Sequence, residues 1–134
     1  MQEGCGNAGT ATGNFICPVA YISVNCRPGD TNNAGDYPAP LNTPIYAIDG
    51  GIVEQSFYHW SYGNNVLIYH PEINATSRYA HMVRLPEVSK GDLVYQGQLL
   101  GYVGSTGSST GPHLHLEYVK DGIGICPMFV PGLT

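Results

Sequence analysis

Basic residues are scarce in this chain, whose 134 residues include five Lys and Arg against ten Asp and Glu, for a formal net charge of −5. That balance argues against long-range attraction to nucleic acids or anionic membranes, so we expect neither as a partner. No apolar run approaches the ~20 residues of a membrane-spanning helix, so no membrane span is expected either. No basic segment followed by an apolar one begins the chain, which indicates a mature form or a fragment of a longer protein.

Helical periodicity is also missing, because no segment keeps a helical apolar repeat over several turns. Eighteen Gly, ten Pro and ten Tyr favour strands joined by tight turns. We therefore predict a mainly β fold, with an antiparallel β-sheet core, long loops that line a groove and little helix. The length fits one domain, which we place at residues 15–134 after a loosely packed N-terminal arm at residues 1–14.

The apolar pattern predicts short strands at 45–48, 52–55, 65–69, 77–82, 92–95, 99–103 and 113–119. Asp49-Gly50-Gly51 separates the first two and is typical of a hairpin turn. Residues 27–42 contain several Asp, Asn, Gly and Pro but almost no core residues, and they predict a long loop. Long ordered loops in small domains commonly carry function.

Four cysteines, an even number in a small glycine-rich chain, indicate an oxidising compartment. No Cys-x-x-Cys spacing occurs, so we do not expect these residues to bind zinc. Three pairings are possible. Of these we favour a Cys5–Cys17 loop together with a Cys26–Cys126 link that joins the two ends of the chain.

His113 and His115 lie two residues apart in an alternating run, so in a strand their side chains share one face, while Leu114 and Leu116 face the other side. His81 could form one site with these two histidines. Four polar loop residues could contribute to the same site: Asp30, Asn32, Asn33 and Asp36. A hydrolytic zinc site needs three protein ligands and an open position, which these groups could supply. Phosphate-binding glycine loops, nucleophile elbows and a helical His-Glu-x-x-His motif are absent.

Two histidines lie outside this set. His59 belongs to a polar and aromatic loop, where it is either a surface residue or part of a groove wall that contacts substrate. His70 precedes Pro71 at a strand end, and we expect it to be structural.

Five short elements follow one another between residues 15 and 131: Phe15-Ile16-Cys17-Pro18-Val19, Asp36-Tyr37-Pro38-Ala39-Pro40, Tyr62-Gly63-Asn64, Tyr79-Ala80-His81-Met82 and Gly111-Pro112-His113-Leu114-His115. Together they resemble, in the same order, the signature of the lysostaphin-type (LytM) zinc endopeptidases. The resemblance implies Zn²⁺ as cofactor, with Asp36 and His115 as ligands. It implies that His81 and His113 are the non-ligand histidines that polarise the attacking water and stabilise the tetrahedral intermediate.

The family cleaves peptide bonds in bacterial peptidoglycan, in stem peptides or cross-bridges. The resemblance therefore implies peptidoglycan peptides as partner and an extracellular, cell-envelope or virion-associated location. It also implies that the loops at 104–111 and 27–42 are walls of a substrate groove. We expect the domain to be part of a longer polypeptide or assembly, bacterial or phage in origin, because tethering would keep this acidic chain near an anionic wall.

The family's third zinc ligand is a His four residues before the Asp, and here that position is Asn32, with no His anywhere in residues 1–58. Three alternatives remain open: Asn32 ligates zinc weakly, Asp30 or another loop residue replaces it, or the site is crippled. The preferred hypothesis is a zinc endopeptidase. The alternatives are a degenerate member that binds peptidoglycan or activates a partner hydrolase, and a structural domain of a cell-surface or phage tail assembly.

Overall fold

The computed structural model describes residues 12–20, 31, 34–127 and 129. These residues contain nine β-strands and one 3-10 turn, at Pro71–Ile73. No helix among them is long and apolar enough to cross a membrane. The strands are β1 (Gly35–Pro38), β2 (Pro44–Tyr46), β3 (Gly51–His59), β4 (Gly63–His70), β5 (Ala75–Met82), β6 (Leu93–Val94), β7 (Leu99–Tyr102), β8 (His113–Lys120) and β9 (Ile123–Gly124).

Seven strands form one antiparallel sheet in the order β1-β8-β5-β4-β3-β6, with β9 also paired to β8, while β2 and β7 form a second, two-stranded sheet. The predicted mainly β, antiparallel fold is confirmed. Strand β8 lies between β1 and β5, and its register places His115 directly opposite both Asp36 and Ala80. Residues far apart in the sequence thus meet on one face of the sheet.

The core explains which face of β8 is free for chemistry. Leu114 and Leu116 are fully buried and belong to the main hydrophobic cluster, whereas His113 and His115 are only partly buried. Neighbouring strands add Val66, Ile68 and Tyr79 to the same cluster. The alternation expected for β8 is confirmed, and the polar face lies opposite the core.

The predicted hairpin at Asp49-Gly50-Gly51 is wrong, because the strands on either side of it join different sheets. β2 pairs with β7, and β3 pairs with β4 and β6. The Asp49 carboxylate is buried and accepts hydrogen bonds from the backbone N–H groups of Thr12, Gly13 and Gly50. Asp49 therefore ties Thr12 and Gly13 to the segment between β2 and β3 instead of closing a hairpin.

The predicted loop at 27–42 is wrong in part, because β1 lies inside it and pairs with β8 over four residues. Tyr37 supplies the one large apolar group of β1 and is fully buried. Pro38 is tolerated because β1 is an edge strand. This segment has too few apolar residues to show a period-2 pattern, so its strand depends on pairing with β8.

The cysteines follow only part of the expectation. Cys126 is disulfide-bonded, whereas Cys17 has a free thiol. The predicted Cys5–Cys17 pair is therefore wrong. The predicted Cys26–Cys126 pair involves a residue outside the described part of the chain and stays a prediction.

His70 is fully buried at the end of β4 and has a partner on each ring nitrogen. Its Nδ1–H donates to the carbonyl oxygen of Gly50 at 2.6 Å, and its Nε2 accepts from the hydroxyl of Ser77 at 2.9 Å. The Tyr79 hydroxyl and the backbone N–H of Ile48 continue this chain of hydrogen bonds. This arrangement fits the structural role expected for His70.

Burial lowers the pKa of His70 below its usual value of 6.5, which predicts a loss of stability in mild acid. Below about pH 6.5 the unfolded chain takes up a proton that the folded chain refuses, so the free energy of unfolding falls as the pH decreases. We expect this slope between pH 7.5 and pH 5.5 to be smaller in His70→Gln, measured by chemical denaturation. Equal slopes in the two proteins would contradict this account.

Candidate metal centre

The polar face of the sheet forms the floor of an open cavity of about 490 Å³. Side chains from β1, β5 and β8 lie at its base, and two loops form its sides. The lining residues are Asp36, Ser61, Tyr62, His81, Ser108, Ser109, Thr110, His113, His115 and Glu117.

Strands β1 and β8 bring a carboxylate and two imidazoles together. Asp36 Oδ1 lies 2.7 Å from His115 Nδ1 and 3.5 Å from His113 Nε2. The register Asp36↔His115 causes this proximity, because residues opposite each other on paired strands share a face. The predicted ligands Asp36 and His115 are therefore adjacent at the base of the cavity.

His81 reaches the cavity only because β5 contains a β-bulge. In a regular strand His81 would share the core face with Tyr79. Val66 lies opposite Tyr79 but Asn64 lies opposite Met82, so β5 has one extra residue here. His81 itself has a left-handed backbone with φ 62°, which is uncommon for a residue other than glycine. The bulge turns the ring to 4.9 Å from that of His113, measured between centroids.

Thr106 fixes His81 in this conformation. Its carbonyl oxygen accepts a hydrogen bond from His81 Nδ1–H at 2.6 Å, and its hydroxyl donates to the carbonyl oxygen of Met82 at 2.6 Å. Gly63 and Gly107 allow the loop that carries Thr106 to lie close to the start of β4. A Cβ on Gly63 would overlap Thr106, a Cβ on Gly107 would overlap the backbone of Gly63, and both glycines have positive φ.

His113 is oriented in the same way, because its Nδ1–H donates to the carbonyl oxygen of Gly111 at 2.8 Å. In the neutral forms of His81 and His113, Nδ1 thus carries the proton and Nε2 keeps its lone pair. Each ring presents a nitrogen that can accept a proton or bind a metal.

The pKa values of the site reflect both burial and neighbouring charge. Burial lowers the pKa of His81, and repulsion by His113 and His115 acts in the same direction. Burial alone would lower the pKa of His115, but hydrogen bonds to Glu117 and Asp36 outweigh it and raise that pKa. The hydrogen bond from His115 lowers the pKa of Glu117 despite burial. The site therefore combines a histidine biased toward the neutral form, His81, with a carboxylate biased toward the ionised form, Glu117.

The donor set fits a zinc ion. His81, His113 and His115 each offer a ring nitrogen, and these atoms lie within 4.8 Å of one another. Imidazole nitrogens with a carboxylate oxygen are among the usual zinc ligands.

A family model described as Peptidase family M23 matches residues 30–127.

The chain belongs to peptidase family M23.

Relatives with known names support this membership. Peptidoglycan DD-endopeptidase ShyC of Vibrio cholerae is 47% identical over 88 residues, which make up 66% of this M23 chain and 20% of ShyC. A crystal structure of a zinc-containing peptidase from Vibrio cholerae matches with a TM-score of 0.71 at 27% identity, covering 88% of this chain and 39% of that one. The chain therefore spans a small part of these relatives.

The catalytic domain of the antimicrobial peptidase lysostaphin from Staphylococcus simulans is closer to this chain in size. It matches with a TM-score of 0.62 at 25% identity, and the match covers 90% of this chain and 88% of that domain. The resemblance to lysostaphin-type peptidases is confirmed.

Four of the predicted site residues meet in the M23 fold: Asp36, His81, His113 and His115. Asn32, the predicted third ligand, lies outside the described residues, as does its possible substitute Asp30. The division of the four into ligands and non-ligand histidines stays a prediction. Of the predicted groove walls, the 104–111 loop contributes Ser108, Ser109 and Thr110.

Three lining residues, Ser61, Tyr62 and Glu117, are not assigned a role by the sequence pattern. Glu117 follows His115 by two residues on the same strand, so the alternation that unites His113 and His115 already predicts its face. His59 does not line the cavity. Its ring stacks on Trp60, and its Nδ1 accepts hydrogen bonds from the backbone N–H groups of Ser61 and Tyr62.

Proposed function

We propose that this chain is a zinc-dependent endopeptidase domain that cleaves peptide bonds in bacterial peptidoglycan, in stem peptides or cross-bridges. The observation that carries the proposal is the convergence of Asp36, His81, His113 and His115 at the base of one open cavity in an M23 fold. The expected site of action is the cell envelope or its exterior, in a bacterial or phage context.

Asp36 and His115 would hold the zinc ion, and a residue near position 32 would complete the ligand set. When bound, zinc supplies Lewis-acid polarisation of the scissile carbonyl and lowers the pKa of water. The 3.5 Å between Asp36 Oδ1 and His113 Nε2 leaves His113 beside the ligands.

Of the two remaining histidines, His81 would accept a proton from water and His113 would stabilise the negative charge of the tetrahedral intermediate. His81 has its Nδ1–H bound to Thr106, so its Nε2 is the atom that accepts a proton from the attacking water. The lowered pKa of His81 keeps this nitrogen unprotonated near neutral pH. His113 faces the cavity with Nε2, and in its protonated form it donates a hydrogen bond to the oxyanion of the tetrahedral intermediate.

The polar lining of the cavity suits a peptide substrate. Its two sides carry the hydroxyl-bearing residues Ser61, Ser108 and Thr110, which offer donors and acceptors to a peptide backbone. The cavity is open to solvent, as access to a polymeric substrate requires. The relative ShyC is named a peptidoglycan DD-endopeptidase, which supports a peptidoglycan peptide as substrate.

Digestion of purified peptidoglycan sacculi tests the proposal. The chain supplied with zinc is expected to release new amine termini and to convert cross-linked muropeptides to smaller ones. Amine labelling detects the new termini, and mass spectrometry detects the smaller muropeptides. The double variant His113→Ala/His115→Ala is the negative control. Absence of new amine termini from sacculi of several chemotypes, with the chain folded and loaded, would contradict the proposal.

Asn32 favours a second candidate, a degenerate domain that binds peptidoglycan or activates a partner hydrolase. An amide oxygen is a weaker zinc ligand than imidazole. This candidate predicts that the chain co-sediments with sacculi but releases no amines.

Asn32→His tests whether Asn32 is a weak zinc ligand or whether another loop residue, such as Asp30, takes its place. If Asn32 is a weak ligand, the substitution is expected to raise zinc affinity about tenfold or more and to increase hydrolysis at limiting zinc. Chelator competition measures the affinity, and amine release measures the activity. Unchanged values for both would show that position 32 is not a ligand.

A further inference from the structure

Glu117 occupies the side of the His115 ring that faces away from Asp36. His115 Nε2 lies 3.0 Å from Glu117 Oε2, whereas its Nδ1 lies 2.7 Å from Asp36 Oδ1. The two carboxylates therefore contact different ring nitrogens. If Asp36 and His115 hold a metal ion together, Nδ1 would be the ligating nitrogen and Nε2–H would donate to Glu117.

Glu117 is itself held by two neighbours. The Tyr62 hydroxyl donates to the carboxylate, lying 2.9 Å from Oε1 and 3.0 Å from Oε2. Arg78 lies opposite Glu117 in the β5–β8 register, with its Nε 3.9 Å from Oε1. The Arg78 guanidinium also lies over the Tyr62 ring at 4.6 Å from its centroid. The three side chains thus form one contact group.

The contact group is fixed to the sheet through Asn65. Arg78 Nη1 donates to Asn65 Oδ1 at 2.5 Å, and Asn65 is fully buried on β4. The Asn65 amide donates in turn to the backbone carbonyl oxygens of Phe57 and Gly63. Strands β3, β4 and β5 therefore define where the Glu117 carboxylate lies.

We propose that Glu117 is a positioning residue that sets the orientation of the His115 ring, and that Tyr62 and Arg78 keep its carboxylate in place. The inference rests on the proposed function, which it deepens by assigning an outer support to the metal ligand. A carboxylate that accepts the second N–H of a metal-bound histidine orients the ring and increases its basicity. Glu117 does not touch the substrate in this role.

Zinc affinity of the purified chain tests this role without reference to turnover. Competition with a chromophoric chelator gives the zinc dissociation constant of the parent chain and of each variant. Glu117→Ala is expected to weaken zinc binding about 10–100-fold. Glu117→Gln keeps an oxygen acceptor for Nε2–H, so it is expected to recover most of that loss. Tyr62→Phe keeps the ring beneath Arg78 but removes the donor, with an expected loss of about fivefold.

Glu87→Gln is the matched control, because Glu87 is exposed and pairs only weakly with Arg84 away from the cavity. Its zinc affinity is expected to equal that of the parent chain. Melting curves of the metal-free proteins establish that each variant is folded. If Glu117→Ala does not fold, Glu117→Gln and Tyr62→Phe still rank the contributions.

Equal zinc affinity in the parent chain, Glu117→Ala and Tyr62→Phe would overturn the positioning role, even if the chain hydrolyses peptidoglycan. Weaker zinc binding in the variants of a chain that hydrolyses nothing would support the positioning role and reject the proposed function. A parent chain that binds no zinc would overturn both.

Discussion

His115→Ala is expected to remove zinc from the chain, whereas His113→Ala is expected to keep zinc and lose activity. His115 is the proposed ligand beside Asp36, whereas the Nδ1–H of His113 donates to Gly111 and its Nε2 is the nitrogen that would act on the intermediate. Loss of a histidine that acts in acid-base or oxyanion stabilisation lowers kcat by about 10²–10⁴-fold. Elemental analysis of dialysed protein and amine release from sacculi measure the two effects.

His81→Ala tests an alternative ligand set, because ring nitrogens of His81, His113 and His115 lie close enough together to bind one metal ion. Under our assignment His81→Ala retains zinc and loses activity, as His113→Ala does. Zinc loss from all three single variants would instead indicate a three-histidine site. Zinc retention by His115→Ala would show that the ligand assignment is wrong.

Gly107→Ala is expected to lower kcat about 100-fold without contact between the new methyl group and the substrate. A Cβ at Gly107 would overlap the backbone of Gly63, and its φ of 74° disfavours alanine. The overlap must displace the loop that carries Thr106, which holds His81 at 2.6 Å. Misplacement of a reacting group by about 1 Å can cost 10²-fold in rate.

Gly122→Ala separates this displacement from backbone strain. Gly122 has a similar φ of 80°, but a Cβ there meets no atom within 4 Å. We expect Gly122→Ala to lose about 1–3 kcal/mol of stability and to keep its activity. Equal activities of Gly107→Ala and Gly122→Ala, measured on sacculi with both chains folded, would contradict a role for the glycine contact in placing His81.

Local alternation predicted the part of the site that lies on β8. The spacing of His113 and His115 and the apolar Leu114 and Leu116 define the two faces of one strand, and no distant information is needed. The same rule would have placed Glu117 on the polar face. Its contact with His115 could not be predicted, because it depends on side-chain orientation.

Three other features depend on pairing between distant residues. β1 has one large buried apolar residue, Tyr37, and becomes a strand only through β8. The bulge that turns His81 into the cavity arises from the register between β4 and β5. Asp49 resembles a hairpin residue in sequence, but its buried carboxylate binds the backbone of Thr12 and Gly13. Local patterns carry no information on such long-range partners.

The family resemblance supplied what these local patterns could not. It brought Asp36, His81, His113 and His115 into one predicted site although up to 79 residues separate them in the sequence. It also identified Asn32 as the position where this chain departs from the family pattern. Whether Asn32 in place of a histidine reduces activity depends on how tightly the site still binds zinc.

The most direct test of the account is hydrolysis of sacculi by the metal-free chain as zinc is added back. We predict little amine release without zinc, and a rate that rises and saturates as one zinc ion binds per chain, with no response in His115→Ala. The same rate with and without zinc, or no hydrolysis at any zinc concentration by the folded chain, would contradict it.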